Sequence, residues 1–144
     1  MNTPVTSLVC DYMNTDLVYL REGDRLDVAL KPMLDFGVTA IPILDDDHRP
    51  VGVVTLRDLS ARRKEPSRRV VKTIAGGASI DEAARALASE NLHHLVVVGS
   101  DGEAIGMLSS LDVVRGLLGL PARHPSSTKR FLAATQYDTE HTVE

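Results

Sequence analysis

Gly52-Val53-Val54-Thr55-Leu56-Arg57-Asp58 and Gly106-Met107-Leu108-Ser109-Ser110-Leu111-Asp112 carry one pattern twice, 54 positions apart: glycine, two apolar residues, a hydroxyl residue, two more residues, then aspartate. Sliding the chain by that distance, with no gap, aligns its two halves. Gly23 falls on Gly77, Asp27 on Asp81, Ala29 on Ala83 and Asp47 on Asp101, beside the two glycines and two aspartates of the quoted stretches. The apolar pattern is kept between them: Leu26 with Ile80, Met33 with Leu87, Ile41 with Leu95, Ile43 with Val97, Val54 with Leu108. A repeat of this kind decides the architecture before any local element is read.

Each half reads as strand, helix, strand, strand, helix, an α/β (α+β) unit. In the second half Val70 to Ile74 is a β-branched run suited to a strand. Ser79-Ile80-Asp81-Glu82 forms a capping box, and Ile80, Ala83, Ala84 and Leu87 line one face of the helix behind it. His94 to Val98 reads as a strand. It turns at Ser100-Asp101-Gly102-Glu103, returns through Ala104 to Leu108 and closes on a helix bearing Leu111, Val114, Leu117 and Leu118. The first half follows suit, with a strand at Leu17 to Leu20 and a helix through Leu26, Ala29, Leu30 and Met33. Ile41 to Leu44 then pairs with Val51 to Val54 across Asp45-Asp46-Asp47, before a helix from Leu56. Pro32 falls inside the first helix, where it is expected to remove a hydrogen bond and cause a kink. The boundaries are 9–63 for the first repeat, 64–69 for a basic linker, 70–119 for the second repeat and 120–144 for an exposed tail. The tail is expected to form at most a short helix around Phe131 to Ala134.

Composition narrows the class. The 144 residues are 43% hydrophobic and 25% charged, the balance of a globular protein, and no apolar run reaches the roughly 20 residues of a membrane span. The N-terminal residues lack the basic flank and apolar stretch of a secretory signal. One cysteine, Cys10, excludes an intrachain disulfide framework and fits a reducing compartment, so the chain is expected to be cytoplasmic. A net charge of −4, with aromatic residues at 3% and no Trp, argues against nucleic-acid binding and leaves little to stack bases on.

Chemistry concentrates where the second strand of each hairpin passes into a helix. A helix N-terminus offers free N–H groups and partial positive charge to a phosphate, and Thr55 or Ser109 adds a hydroxyl. An aspartate one turn on, Asp58 or Asp112, can accept from both hydroxyls of a ribose. The same spacing is also a capping box that starts a helix, and the two readings are compatible.

These turns, with Gly37-Val38-Thr39-Ala40-Ile41-Pro42-Ile43 and Asn91-Leu92-His93-His94-Leu95-Val96-Val97-Val98 before them, make the chain resemble tandem cystathionine-beta-synthase (CBS) domains. The opening Val9-Cys10-Asp11-Tyr12-Met13 resembles the usual start of such a pair. The resemblance implies a Bateman module: two repeats packed through their sheets by pseudo-twofold symmetry, with two clefts that commonly bind AMP, ADP, ATP or S-adenosylmethionine. It also implies a homodimer, a regulatory role exerted on another protein through ligand-dependent rearrangement, no enzymatic activity and no cofactor. Carried over by position, it gives one site with Ser109 and Asp112 on phosphate and ribose and Met13, Leu17, Val18, Val38 and Ala40 around adenine. The other site has Thr55 and Asp58 in those roles, with Val53, Val71 and Lys72 around the base. Phosphates are expected near Thr39, His93 and His94, positions that often carry arginine in related modules. The second repeat has Val96 where the first has Pro42.

Other features read more plainly. His93 and His94, adjacent on a strand, point to opposite faces and do not chelate one metal. Asp45-Asp46-Asp47 lacks the spacing of a calcium loop and reads as a solvated hairpin turn. No catalytic nucleophile, base or metal cage is present in the pattern. Two rivals to a nucleotide sensor stay open: a structural dimerisation module without ligand, and a nucleic-acid-associated regulator using Arg62 to Arg69 and Lys129-Arg130.

Overall fold

The computed structural model describes residues 7–66, 71–124 and 130–140. In chain order it contains α1 (Val9–Tyr12), β1 (Asp16–Arg21), a 3₁₀ turn (Leu26–Ala29), α2 (Leu30–Phe36), β2 (Ala40–Leu44), β3 (Pro50–Thr55) and α3 (Leu56–Ser60). There follow β4 (Thr73–Ala75), α4 (Ile80–Glu90), β5 (His94–Val98), β6 (Ala104–Ser109), α5 (Ser110–Leu117), β7 (Arg130–Ala133) and α6 (Ala134–Glu140).

The register read from the sequence holds residue by residue in space. Strands β2 and β3 become β5 and β6 under the same shift, and each antiparallel hairpin has its irregularity at the equivalent place, Ile43/Leu44 and Val97/Val98. Helices α2 and α4 end on equivalent left-handed residues, Gly37 at φ +68° and Asn91 at φ +59°. Glycine and asparagine are the residues that enter this region most readily, which makes them common helix terminators. In both repeats the amide that follows bonds back across the last turn: Val38 N–H to Met33 O and Leu92 N–H to Leu87 O, each at 3.0 Å.

The chain divides into two compact units: Asp16–Val71 with Lys129–Glu144, built on the first repeat, and Met1–Thr15 with Lys72–Thr128, built on the second. In the first-repeat unit the sheet order is β3-β2-β1-β7, with β1 parallel to both β2 and β7. Its core gathers Val18, Leu20, Leu26, Ala29, Met33, Ile41, Ile43, Val54 and Ala134. In the second-repeat unit the order is β4-β5-β6, and the core runs through Val9, Tyr12, Met13, Ile80, Leu87, Leu95, Leu108 and Val113.

Three expectations are revised. Pro32 breaks nothing: the turn before it is 3₁₀, so Pro32 is the third residue of α2. The first four N–H groups of a helix have no partner within it, and a missing one is tolerated there. Within the segment expected to be an exposed tail, residues 130–137 are instead built into the first-repeat unit. Arg130–Ala133 pairs parallel to β1 from Asp16 to Tyr19, and Ala133, Ala134 and Tyr137 are buried. Finally, α1 opens the first repeat in sequence but packs with the second in space. Val9 N–H reaches Ala78 O at 2.8 Å, and Asn14 exchanges two backbone bonds with Met107, at 2.8 and 3.1 Å. Of the linker, Ser67 to Arg69 lie outside the described residues, as do Val70 and Lys129.

Candidate functional site

Each strand-to-helix turn closes into a clasp. Ser109, extended at φ −99° and ψ 163°, caps α5: its Oγ accepts from Asp112 N–H at 3.2 Å. Asp112 Oδ2 accepts in return from both Ser109 N–H and Ser109 Oγ–H, each at 2.9 Å. In the first repeat Thr55 caps α3 identically. Asp58 N–H donates to Thr55 Oγ1 at 3.1 Å, and Asp58 Oδ2 accepts from Thr55 N–H at 3.0 Å and Oγ1–H at 3.1 Å. The amide after each cap is also engaged, Leu56 N–H with Thr39 O at 3.0 Å and Ser110 N–H with His93 O at 2.9 Å.

Two consequences follow from donor counting. A hydroxyl has one proton, and those of Thr55 and Ser109 are directed at the aspartates. The helix starts are therefore largely satisfied from within, and a phosphate that takes a hydrogen bond from either cap hydroxyl has to draw that proton away from the aspartate. The aspartates are only 1% and 2% exposed, yet in each only Oδ2 is engaged by the cap. A carboxylate buried this deeply requires further partners. Arg63 Nε lies 3.7 Å from Asp58 Oδ1. On Asp112 Oδ1 the partner is Arg123 Nε at 3.4 Å, with His124 Nε2 at 3.9 Å.

Arg63, Arg123 and His124 are the residues that sequence reading missed. Arg63 is the last residue of the first repeat as read from the sequence, where nothing marks it as a partner of Asp58; α3 ends through Arg62 in the left-handed region at φ +55°, and Arg63 N–H bonds back to Asp58 O at 3.0 Å. That turn returns the Arg63 side chain to the carboxylate. Arg123 reaches Asp112 from eleven residues downstream, and no local pattern announces it.

The remaining candidates are split between the units. Met13, Lys72, His93, His94, Ser109 and Asp112 belong to the second-repeat unit; Leu17, Val18, Val38, Thr39, Ala40, Val53, Thr55, Asp58 and Val71 belong to the first. Met13 and Val18 sit in the hydrophobic clusters of their own units, and Val38 packs against the latter. Leu17 and Ala40 are buried, Val53 and Val71 half-buried, and Thr39, Lys72 and His93 exposed. His94 stands opposite Ser109 in the β5–β6 hairpin. Burial, and secondarily His93, hold its imidazole below the usual histidine range, with Asp112 opposing that shift. Among the described residues no group of three His, Cys, Asp or Glu side chains could hold a metal, and no helix is long and apolar enough to cross a membrane.

The α+β unit, with a hydroxyl–aspartate clasp at the same turn of each copy, is a tandem repeat in space as well as in sequence. The CBS domain family model matches residues 9–65 and 66–119, and the chain belongs to that family as a CBS pair. It is similar to homoserine O-acetyltransferase of Methanohalobium evestigatum, 30% identical over 114 residues that make up 74% of this chain and 23% of that protein. It is also similar to inosine-5'-monophosphate dehydrogenase of Methanocaldococcus jannaschii, 41% identical over 61 residues, 42% of this chain and 12% of that one. The chain thus spans about a quarter or less of the curated relatives it matches, and the likeness is confined to their CBS regions. Among solved structures, CBSX2 in complex with AMP gives a TM-score of 0.66 at 27% identity, covering 78% of this chain and 97% of that one. The CBS domain pair of protein MJ0100, in complex with 5'-methylthioadenosine and S-adenosyl-L-methionine, gives a TM-score of 0.70 at 21% identity, covering 79% and 98%.

Proposed function

We propose that this CBS pair is a non-catalytic regulatory module that senses an adenine nucleotide, AMP, ADP or ATP, or S-adenosylmethionine, in a reducing cytoplasmic compartment. The observation that carries the reading is the duplicated clasp: in each repeat Oδ2 of a buried aspartate builds the helix cap while Oδ1 lies on the side of an arginine. A ribose can donate two hydroxyl hydrogens to an acceptor of that kind. Similarity to a CBS pair that holds AMP and to another that holds two adenosine derivatives supports the ligand class. Occupancy then shifts the arrangement of repeats or subunits, and a protein partner responds. The assembly proposed is a homodimer built on the closing helix of the second repeat. Leu111, Val114, Leu117, Leu118 and Leu120 all stand exposed there.

The test of the ligand class is a thermal-shift panel. A ligand bound only by the folded state adds about 2.7 kcal/mol of stability at one hundred times its Kd, which moves the midpoint of a domain this size by several degrees. One of AMP, ADP, ATP or S-adenosylmethionine at millimolar concentration is expected to do so. If none moves the midpoint, the module is structural and the sensor reading fails.

A further inference from the structure

The residues after α5 form a strap with its own fastenings. Gly119 takes the left-handed conformation at φ +69°, and Leu120 N–H returns to Arg115 O at 2.9 Å. Arg115 Nε donates to Pro121 O at 2.7 Å, and the Tyr12 hydroxyl donates to Leu120 O at 2.6 Å. These bonds deliver Arg123 and His124 to Asp112, although the family match ends at residue 119. The Ser109 cap is complete without them, so the strap is not needed to start α5. The Arg123 guanidinium and the His124 ring both lie against Oδ1, the oxygen that the cap leaves over.

We propose that this strap is a built-in competitor for nucleotide at the second-repeat clasp, with Arg123 as the residue that sets affinity there. The inference rests on the ribose reading of Asp112. A ribose hydroxyl and the Arg123 guanidinium both donate to Asp112 Oδ1, and a ligand that takes this oxygen displaces the guanidinium. The ion pair is partly open to solvent, with the Arg123 side chain 39% exposed. Pairs of that kind are weak, so removing the competitor tightens binding about two- to fivefold. Linkage makes the effect reciprocal: nucleotide loosens the strap, and a partner that lifts residues 120–124 raises nucleotide affinity. Arg63 stands on Asp58 in the same relation but arrives from a different position, five residues after its aspartate.

Isothermal titration calorimetry with adenosine, which has the ribose and no phosphate, isolates the contact; AMP is titrated in parallel. Arg123→Ala is expected to bind adenosine about threefold more tightly than wild type. Asp112→Asn is expected to bind it more weakly, and adding Arg123→Ala to Asp112→Asn should restore nothing. Arg123→Lys, which keeps the charge, should stay near wild type. Unchanged or weaker adenosine binding by Arg123→Ala overturns the competitor while leaving the ribose reading intact, provided Asp112→Asn still weakens it. Loss of AMP affinity alone in Arg123→Ala also overturns it, because Arg123 is then a phosphate ligand. If wild type and Asp112→Asn bind adenosine equally, or neither wild type nor Arg123→Ala binds at all, the ribose reading and the competitor fall together. Binding by Arg123→Ala where wild type shows none is the strongest support.

Discussion

The two repeats build the same clasp and then diverge around it. Thr55–Asp58 and Ser109–Asp112 occupy equivalent positions with the same hydrogen bonds. Helix α3 has five residues and α5 has eight, and Leu56 and Leu59 pack against the first-repeat core while Leu118, the C-cap of α5, is 68% exposed. The arginines on the two aspartates come from non-equivalent places. Duplication therefore accounts for the carboxylates but not for their counter-charges. What recurs is the physical requirement: a buried carboxylate has to be paired, and each half meets that need with whatever basic residue its own chain exit supplies.

The largest effect expected from this divergence is on assembly. If the apolar end of α5 joins two copies, Leu118→Asp places two charges in one contact and raises the dimer Kd at least a hundredfold, about 2.7 kcal/mol. Light scattering at micromolar concentration should then give twice 15.6 kDa for wild type and one chain for the variant. A wild-type mass of one chain removes the dimer from the account.

A smaller effect separates the equivalent glycines. A Cβ on Gly106 would stand 2.8 Å from Met13 Sδ and 3.0 Å from the Asn14 carbonyl oxygen. On Gly52 the nearest atoms it would meet belong to the Ile43 side chain, the closest at 3.2 Å. Asn14 is fixed by its two bonds to Met107 and cannot retreat, whereas an isoleucine tip can. Gly106→Ala should cost about 2 kcal/mol and Gly52→Ala under about 1 kcal/mol in denaturant unfolding. Equal costs would mean that the α1 entry segment is not held against β6 in solution.

Most of the fold was legible because the repeat made each local signal appear twice. The hairpins, the Ser79 cap and the hydroxyl–aspartate turns are short-range features, and each has a residue-level cause. What could not be read is what depends on distant partners. Arg130-Phe131-Leu132-Ala133 is too short to declare itself a strand and becomes one only beside β1, more than a hundred residues earlier. Tyr137 likewise finds its ring partner in Phe36 and its hydrogen-bond acceptor in Asp35. In the site the capping role of the two aspartates was legible from the hydroxyl–x–x–Asp spacing, and the engagement of each hydroxyl proton with its aspartate was not. Arg123 was invisible because only the strap brings it back. Pro32 looked wrong because the 3₁₀ turn before α2 has no clear sequence mark.

Whether these two carboxylates bind ribose as well as start helices is tested most directly by AMP titration of Asp58→Asn, Asp112→Asn and the double variant. An asparagine can keep its amide oxygen on the cap, but it then presents a donor where Oδ1 accepted. The cap survives at a cost of about 1 kcal/mol, while the ribose contact is lost. Calorimetry should show each single variant weakened at least tenfold at its own clasp, about 1.4 kcal/mol, and the double variant weakened at both. Equal AMP affinity in the wild type and the double variant would contradict the account and leave both aspartates as helix caps alone.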